Sequence, residues 1–269
     1  MTALPFTPDE PATPPALPKA PGLLQAFGLI LLYFLLQLGA GVLVGFVAGA
    51  LEKIRHPELP LSDVSKHATQ ILQQPDSNAM LVVIALPLIA MFLFWLVHRM
   101  WPLLWHRAAP PGFGLNAPTT SHWYIAALLI GVAMPPIGAL ITQLLAHGHE
   151  VTQNVQELGR HASSHFRLPL GIVAVTIGPM VEELMFRGVL LSALLRRYSV
   201  KLSIGVCSVL FGAVHLGGLD FQWYALPNLA LLAVTLCWLR LKSGSLWPAI
   251  LAHGMYNLFA LVALFSTAA

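Results

Sequence analysis

The sequence predicts an all-α, polytopic transmembrane bundle of about seven or eight helices. Three observations predict it: hydrophobic residues make up 57% of the 269-residue chain, charged residues only 9%, and mean hydropathy is +0.75. A soluble domain carries roughly 25% charged residues, so this chain has too few to cover a water-facing surface. Disorder and soluble α/β folds are excluded on the same ground. The 14 Lys and Arg against 11 Asp and Glu leave a net charge of only +3. That is too slight for a nucleic-acid partner, whose binder concentrates basic residues on one face. Cys207 and Cys237 each lie inside an apolar run and read as small core residues, with neither a disulfide framework nor zinc-finger spacing.

The elements follow in order. Residues 1–21 are Pro-rich, including Pro14-Pro15, and read as a disordered tail. The apolar stretch 23–51 is longer than the roughly 7–15-residue core of a secretory signal, and is the first span. Further spans are expected at 79–101, 123–146, 168–195, 200–218, 222–241 and 245–266, each near the roughly 20 residues a helix needs to cross the hydrocarbon. With the N-terminus inside, eight basic residues fall on the inner side: Lys19, Arg99, Arg107, Arg196, Arg197, Lys201, Arg240 and Lys242. Five fall on the outer side, in loops that also carry most of the acids. The positive-inside bias therefore predicts N-in and C-out. Trp95, Trp101, Trp123, Trp223, Trp238 and Trp247 fall near span ends, where amphipathic rings favour the interface.

Gly41, Gly45 and Gly49 share one face of the first span and predict a close helix–helix contact. Pro87 and Pro135-Pro136 are expected to kink or break their helices. No fixed-period or inverted repeat is evident, which argues against a proton-coupled transporter.

The informative segment runs from Gly178 to Gly188 and sets Glu182, Glu183 and Arg187 inside an apolar run. Each such group costs at least roughly 2.5–3.5 kcal/mol at the bilayer centre, so all three must pair, face a wet cavity or do chemistry. Glu183 and Arg187 have the i, i+4 spacing of a helical ion pair, acid first. Glu182 is then the unpaired acid, about 100° round the helix. Phe211 and His215 share a face of the next apolar segment, and His253 and Asn257 share a face of the last.

Depths can be compared from the basic boundary. Glu182 lies 14 residues from Arg196, and His215 lies 14 from Lys201, so both are roughly 21 Å deep. His253 and Asn257 lie 11 and 15 residues past Lys242, roughly 16 and 22 Å deep. Singly, each has an ordinary reading: Glu183–Arg187 as a brace, either histidine as a satisfied core residue, Asn257 as helix glue. Together at one depth beside an unpaired acid they read as a site. A carboxylate in a poorly solvated pocket is a stronger base than one in water and can take a proton from water. An imidazole can orient that water, and a second imidazole with a carboxamide can donate to an oxyanion. This set suits hydrolysis of an acyl bond such as a peptide. No Gly-x-Ser-x-Gly or His-Glu-x-x-His motif occurs. His147-Gly148-His149-Glu150 and the pair His161/His165 read as solvated outer-loop groups.

Glu182-Glu183-x-x-x-Arg187, Phe211-x-x-x-His215 and His253-x-x-x-Asn257, ordered on consecutive apolar segments, resemble the three motifs of one family. It is the CAAX prenyl endopeptidase and bacteriocin-processing family of intramembrane proteases, also called CPBP or Abi. The resemblance covers about 168–262; earlier residues match only in being helical and apolar. It implies that Glu182 activates water with His215, that His253 and Asn257 line an oxyanion hole, and that Glu183 and Arg187 support the site. Phe186 and Phe211 would contact substrate. Residues 166–269 would be the catalytic helices, 22–165 a transmembrane scaffold, and 1–21 the tail. Family members are described as metal-dependent or as glutamate-type. Glu182, His215 and His253 would make a Glu-plus-two-His zinc set, but that use consumes the only free base, so no cofactor is expected to be required. The implied substrate is a membrane-associated peptide or protein, prenylated in eukaryotic members. The Ala-, Leu- and Pro-rich composition points to a bacterial cytoplasmic membrane. The alternative function is a non-catalytic immunity or scaffold protein that holds a peptide in the same cavity.

Overall fold

The computed structural model describes residues 19–149 and 161–266, with side chains up to residue 262. Expectations for the tail up to residue 18, and for the outer loop over residues 150–160, fall outside the described residues. Helix α1 (Leu23–Arg55) has 33 residues and is about 50 Å long, well over the roughly 30 Å hydrocarbon thickness. Its first turn is closed by Gln25 Oε1, which accepts from the Gly22 N–H at 2.9 Å. Only Ala26, Leu29, Ile30 and Tyr33 of α1 are buried. Leu31, Leu35, Leu38 and Phe46 are exposed, as expected of a helix solvated by lipid.

The outer segment after α1, expected to be loop, contains an amphipathic helix, α2 (Leu61–Gln73). Val64 and Ala68 on its apolar face pack under the glycine stripe of α1. A Cβ at Gly45 would lie 3.0 Å from Leu72 Cδ1, and one at Gly49 would lie 3.7 Å from Ala68 Cβ. The stripe thus serves a short interfacial helix. Helices α3 (Pro75–Met100) and α4 (His122–Ala146) run unbroken through Pro87 and Pro135-Pro136.

The connection between α3 and α4 is held by backbone bonds from Phe113 N–H to Leu104 O (2.8 Å) and from Leu115 N–H to Trp105 O (3.0 Å). The buried Arg240 donates to Ala108 O at 2.9 Å and Gly112 O at 2.6 Å. Gly114, at φ +75°, lies so close that a Cβ would meet the Arg240 guanidinium carbon at 2.6 Å, a place only glycine fills.

The span Ser164–Leu195 is composite. It comprises α5 (Ser164–Val175), a break at Thr176, α6 (Ile177–Glu183), a π-helical segment Leu184–Leu190, and α7 (Leu191–Leu195). After a Ser199 cap come α8 (Val200–Val214), α9 (Leu226–Ser243) and α10 (Trp247–Ser266). Five helical spans are long and apolar enough to cross a membrane, and two shorter apolar helices, Val200–Val214 and Trp247–Val262, join them. These seven fall at the seven expected positions, and the chain is an integral multi-pass membrane protein. The main core is built round the 181–194 segment. Val181, Leu184, Val189 and Leu190 meet Ile30 of α1, Leu93 and Val97 of α3, and Phe211 and Ala233 of α8 and α9. A second core joins α4, α9 and α10 through Ala127, Leu232, Leu236 and Ala252. The residues carrying Glu182 to Arg187 therefore lie at the centre of the bundle.

Candidate active site

Glu183 and Arg187 are fully buried and paired, with Arg187 Nη1 donating to Glu183 Oε1 at 2.7 Å. Arg187 Nη2 donates to Ala233 O at 3.3 Å, and the guanidinium carbon lies 4.3 Å from the Phe211 ring centroid. This placement is a cation–π contact in a desolvated setting. Glu183 Oε1 also receives His253 Nδ1 at 2.9 Å. The brace thus reaches from the central helix to α9, α8 and α10.

Glu182 faces the other way and is partly exposed (19%). Its Oε2 lies 3.8 Å from Nε2 of His215 and 3.8 Å from Nε2 of His253. Both rings are fixed from behind: His215 Nδ1 lies 2.7 Å from Phe211 O, and His253 Nδ1 lies 2.9 Å from Glu183 Oε1. A carbonyl and a carboxylate only accept, so Nδ1 carries the hydrogen in each ring. In the neutral rings both Nε2 lone pairs then face the same carboxylate oxygen. A separation of 3.8 Å is too long for a direct hydrogen bond and suits a bridging water.

Local sequence explains the placement. The π-helical turn that starts at Leu184 is a widening often found at functional sites. Pro179 and the break at Thr176 free this segment from α5. Helix α8 ends at Val214, so His215 lies at a helix terminus, beside the 216–219 turn. On α10, Gly254 allows close approach: a Cβ there would meet Val175 O at 2.5 Å, and this brings α10 against the end of α5 next to His253.

The two aromatic residues expected to contact substrate divide. Phe186 lines the cavity beside Glu182. Phe211, as buried as Phe186, packs edge-on to Phe186 at 5.1 Å and against the rings of His215 and His253 at 4.7 and 5.7 Å. It is a platform rather than a wall of the cavity, because Arg187 and both imidazoles cover it. Asn257 shares the depth of the site, but its Nδ2 donates to Ala174 O at 2.9 Å, which ties α10 to α5. His149, one of the outer-loop histidines, stacks on Tyr224 with ring centroids 6.5 Å apart.

The cavity has a volume of about 210 Å³, and α1 contributes Tyr33, Phe34 and Gln37 to it opposite Glu182, His215 and Val214. These α1 residues were not among those singled out in the sequence. The available signal was Tyr33 and Gln37 at i and i+4, two polar groups on one face of an otherwise apolar run.

Donor type and spacing can be tested against a metal. Ligand atoms in a tetrahedral zinc site at roughly 2.0–2.2 Å from the metal stand about 3.3–3.6 Å apart, against the 3.8 Å from Glu182 to each ring. Among the described residues, no three His, Cys, Asp or Glu side chains are grouped so as to hold a metal ion. No step is routed through a metal ion.

The fold and site define a multi-pass helical membrane protein with a carboxylate, two oriented imidazoles and a buried ion-pair brace gathered at one cavity. Residues 164–259 match the family described as type II CAAX prenyl endopeptidase, Rce1-like. The chain is also 30% identical over 91 residues to YdiL of Bacillus subtilis strain 168, a protein named as a candidate membrane peptidase. That match covers 34% of this chain and 35% of YdiL, so it spans about a third of the relative's length. No solved structure gives a significant match. Over residues 164–259 the chain is thus similar to CAAX-protease-like membrane proteins, a similarity that covers about a third of its length.

Proposed function

We propose that the chain is an intramembrane endopeptidase that hydrolyses a peptide bond of a membrane-associated peptide or protein with a water activated by Glu182 and His215. The observation that carries this reading is Glu182 Oε2 facing two Nε2 atoms at 3.8 Å, with each ring's Nδ1 hydrogen already committed behind it. Glu182 takes a proton from water held between it and the imidazoles, and the hydroxide adds to the scissile carbonyl carbon. The proton then passes to the leaving amine as the carbon–nitrogen bond breaks. An Nε2 proton on either ring during this cycle is a donor to the oxyanion.

Glu183 and Arg187 are positioning residues that hold His253. Asn257 acts through the α5–α10 junction. Phe186, Tyr33 and Gln37 form the walls against which substrate rests, and helices before residue 165 act as scaffold apart from this α1 face. The cavity opens beside Phe34 and Gln37, both exposed on α1, so substrate enters laterally between α1 and the 214–218 turn. A lipidated or prenylated peptide would keep its chain in the bilayer on this route. We further propose a bacterial cytoplasmic membrane as the setting, with the N-terminus inside.

The test is cleavage of membrane-anchored peptides by purified protein in proteoliposomes. Removing a general base of this kind costs about 10²–10⁴ in rate. Glu182→Gln and His215→Ala should therefore abolish measurable cleavage while leaving the fold intact by circular dichroism. Activity should survive exhaustive chelation with a zinc-selective chelator. Equal cleavage by the two variants would overturn the assignment, and loss on chelation with recovery on zinc would overturn the metal-free form of it.

A further inference from the structure

A second cavity, of about 430 Å³, lies at the opposite, basic end of the bundle. It is walled by Leu195, Val200, Ile204, Trp238 and Leu241, with Lys242 at the rim as its one charged lining group. Leu195 is 13 residues from Glu182, about 20 Å along the helix, so this cavity is separate from the site above. Three elements meet here: the end of α7, the start of α8 and the end of α9. Arg197 and Lys201 follow Leu195 and Val200 closely, and both are exposed, as is Lys242.

None of these three cations forms an ion pair among the described residues. The reason is compositional: residues 77–149, 184–219 and 221–269 contain no Asp or Glu. Among the described residues this end of the bundle therefore has positive charge with no carboxylate to meet it. The N–H groups at the start of the 15-residue α8 add a favourable field for an anion. An apolar cavity large enough for part of an acyl chain, with Lys242 at its rim and the exposed Arg197 and Lys201 on the same end of the bundle, calls for one ligand with an anionic head and a hydrocarbon tail. Trp238, 42% exposed and edge-on to Trp123 at 5.5 Å, supplies the aromatic flank typical of the headgroup level.

We propose that this cavity is a binding site for an anionic glycerophospholipid. One acyl chain lies against Leu195, Ile204, Trp238 and Leu241, and the phosphodiester sits among Arg197, Lys201 and Lys242. A basic pocket between transmembrane helices is a recognised setting for anionic lipid headgroups. A zwitterionic lipid brings its own cation to the same rim and gains less.

The test is native mass spectrometry of the full chain, delipidated in nonionic detergent and titrated separately with dioleoylphosphatidylglycerol, dioleoylphosphatidylcholine and glycerol phosphate. The expected result is one retained phosphatidylglycerol at tenfold or more lower concentration than phosphatidylcholine, with no retention of glycerol phosphate. The exposed-site variant R197Q/K201Q/K242Q should remove that preference. Ile204→Trp, which fills the cavity and leaves the charges, should lower phosphatidylglycerol retention by tenfold. Equal retention of the two lipids, or unchanged preference in the triple variant, overturns the proposal. Should Ile204→Trp fail to fold, the surface triple variant decides alone. Every readout is of lipid binding and is independent of peptide cleavage.

Discussion

Replacing Arg187 by methionine separates the brace from the reacting groups. Both side chains of the Glu183–Arg187 pair are fully buried, and they meet at 2.7 Å. The shorter thioether would fill much of the volume but leave Glu183 as a buried charge answered only by His253 Nδ1. Breaking a buried pair by removing one partner costs about 3–5 kcal/mol. An independent route gives the same range: a hydrogen bond to a charged group contributes about 1.5–3 kcal/mol, and a desolvated cation–π contact such as Arg187 on Phe211 about 2 kcal/mol. For a chain of this size each kcal/mol moves the midpoint by about 2–4 °C, so Arg187→Met should melt about 6–20 °C lower. Glu182 is partly exposed, and its nearest imidazoles are 3.8 Å away, so Glu182→Gln should change stability by less than about 1 kcal/mol. The assay is thermal unfolding in detergent followed by circular dichroism, backed by titration into sodium dodecyl sulfate. The double variant Glu183→Gln/Arg187→Met removes both charges and should be less damaging than the two single costs taken together, by about 1 kcal/mol or more. An Arg187→Met protein as stable as wild type, or strictly additive costs in the double variant, would refute the account of the brace.

Two further outcomes follow from the site walls. Gln37→Leu and Tyr33→Phe keep the shape of the α1 wall but remove its polar groups. Each should raise KM for a cleaved membrane peptide severalfold with kcat changed less than twofold, measured by steady-state cleavage in proteoliposomes; a fall in kcat alone would place these groups in the chemistry instead. Gly254→Ala puts a methyl group 2.5 Å from Val175 O, and overpacking of this kind costs about 1–3 kcal/mol. It should lower the melting midpoint and reduce cleavage together, whereas Gly28→Ala, with open space around its Cβ position, should do neither.

The bundle was readable because length and hydropathy carry the membrane signal directly, and each of seven apolar runs became a helix. Helix α2 was not readable in that way. At 13 residues and with charge on one face, it cannot register in a search for runs of about 20 apolar residues, although Val64 and Ala68 at i, i+4 mark its buried stripe. Depth was readable as well, since helical rise counted from the basic boundary sets Glu182, His215 and His253 at one level, and Glu182 stands 3.8 Å from each ring in the fold. Azimuth was not. Asn257 has the right depth, yet its amide turns to Ala174, because which neighbour a helix face meets is set by packing that one chain's periodicity does not encode. Phe211 shows the same limit: i, i+4 spacing puts it with His215, but only tertiary contacts bury it beneath Arg187. The part played by α1 depends on which early helix lies against the 182–186 turn, a question of topology.

Proton counting at the cluster gives the last step. Glu182 Oε2 and the two neutral Nε2 atoms are three acceptors, since both ring hydrogens are held at Nδ1 by Phe211 O and Glu183. A water brings two hydrogens, so a water shared by all three groups requires one further proton within the cluster, on the acid or on a ring. That proton makes the arrangement bifunctional: one member can accept from water while another still donates to the developing oxyanion or the leaving amine. Glu183 bears on this directly, because as a pure acceptor it forbids His253 the tautomer with hydrogen on Nε2 and lone pair on Nδ1. Glu183→Gln keeps the shape but can donate from its amide to Nδ1, which permits the other tautomer and costs a lone pair at the cluster. Rate should then fall by an amount comparable to loss of one acid–base group, about 10²-fold or more, even where the variant is folded and binds peptide as before. A folded Glu183→Gln protein with wild-type kcat would show that the tautomer of His253 is immaterial, and the counting argument would fail with it.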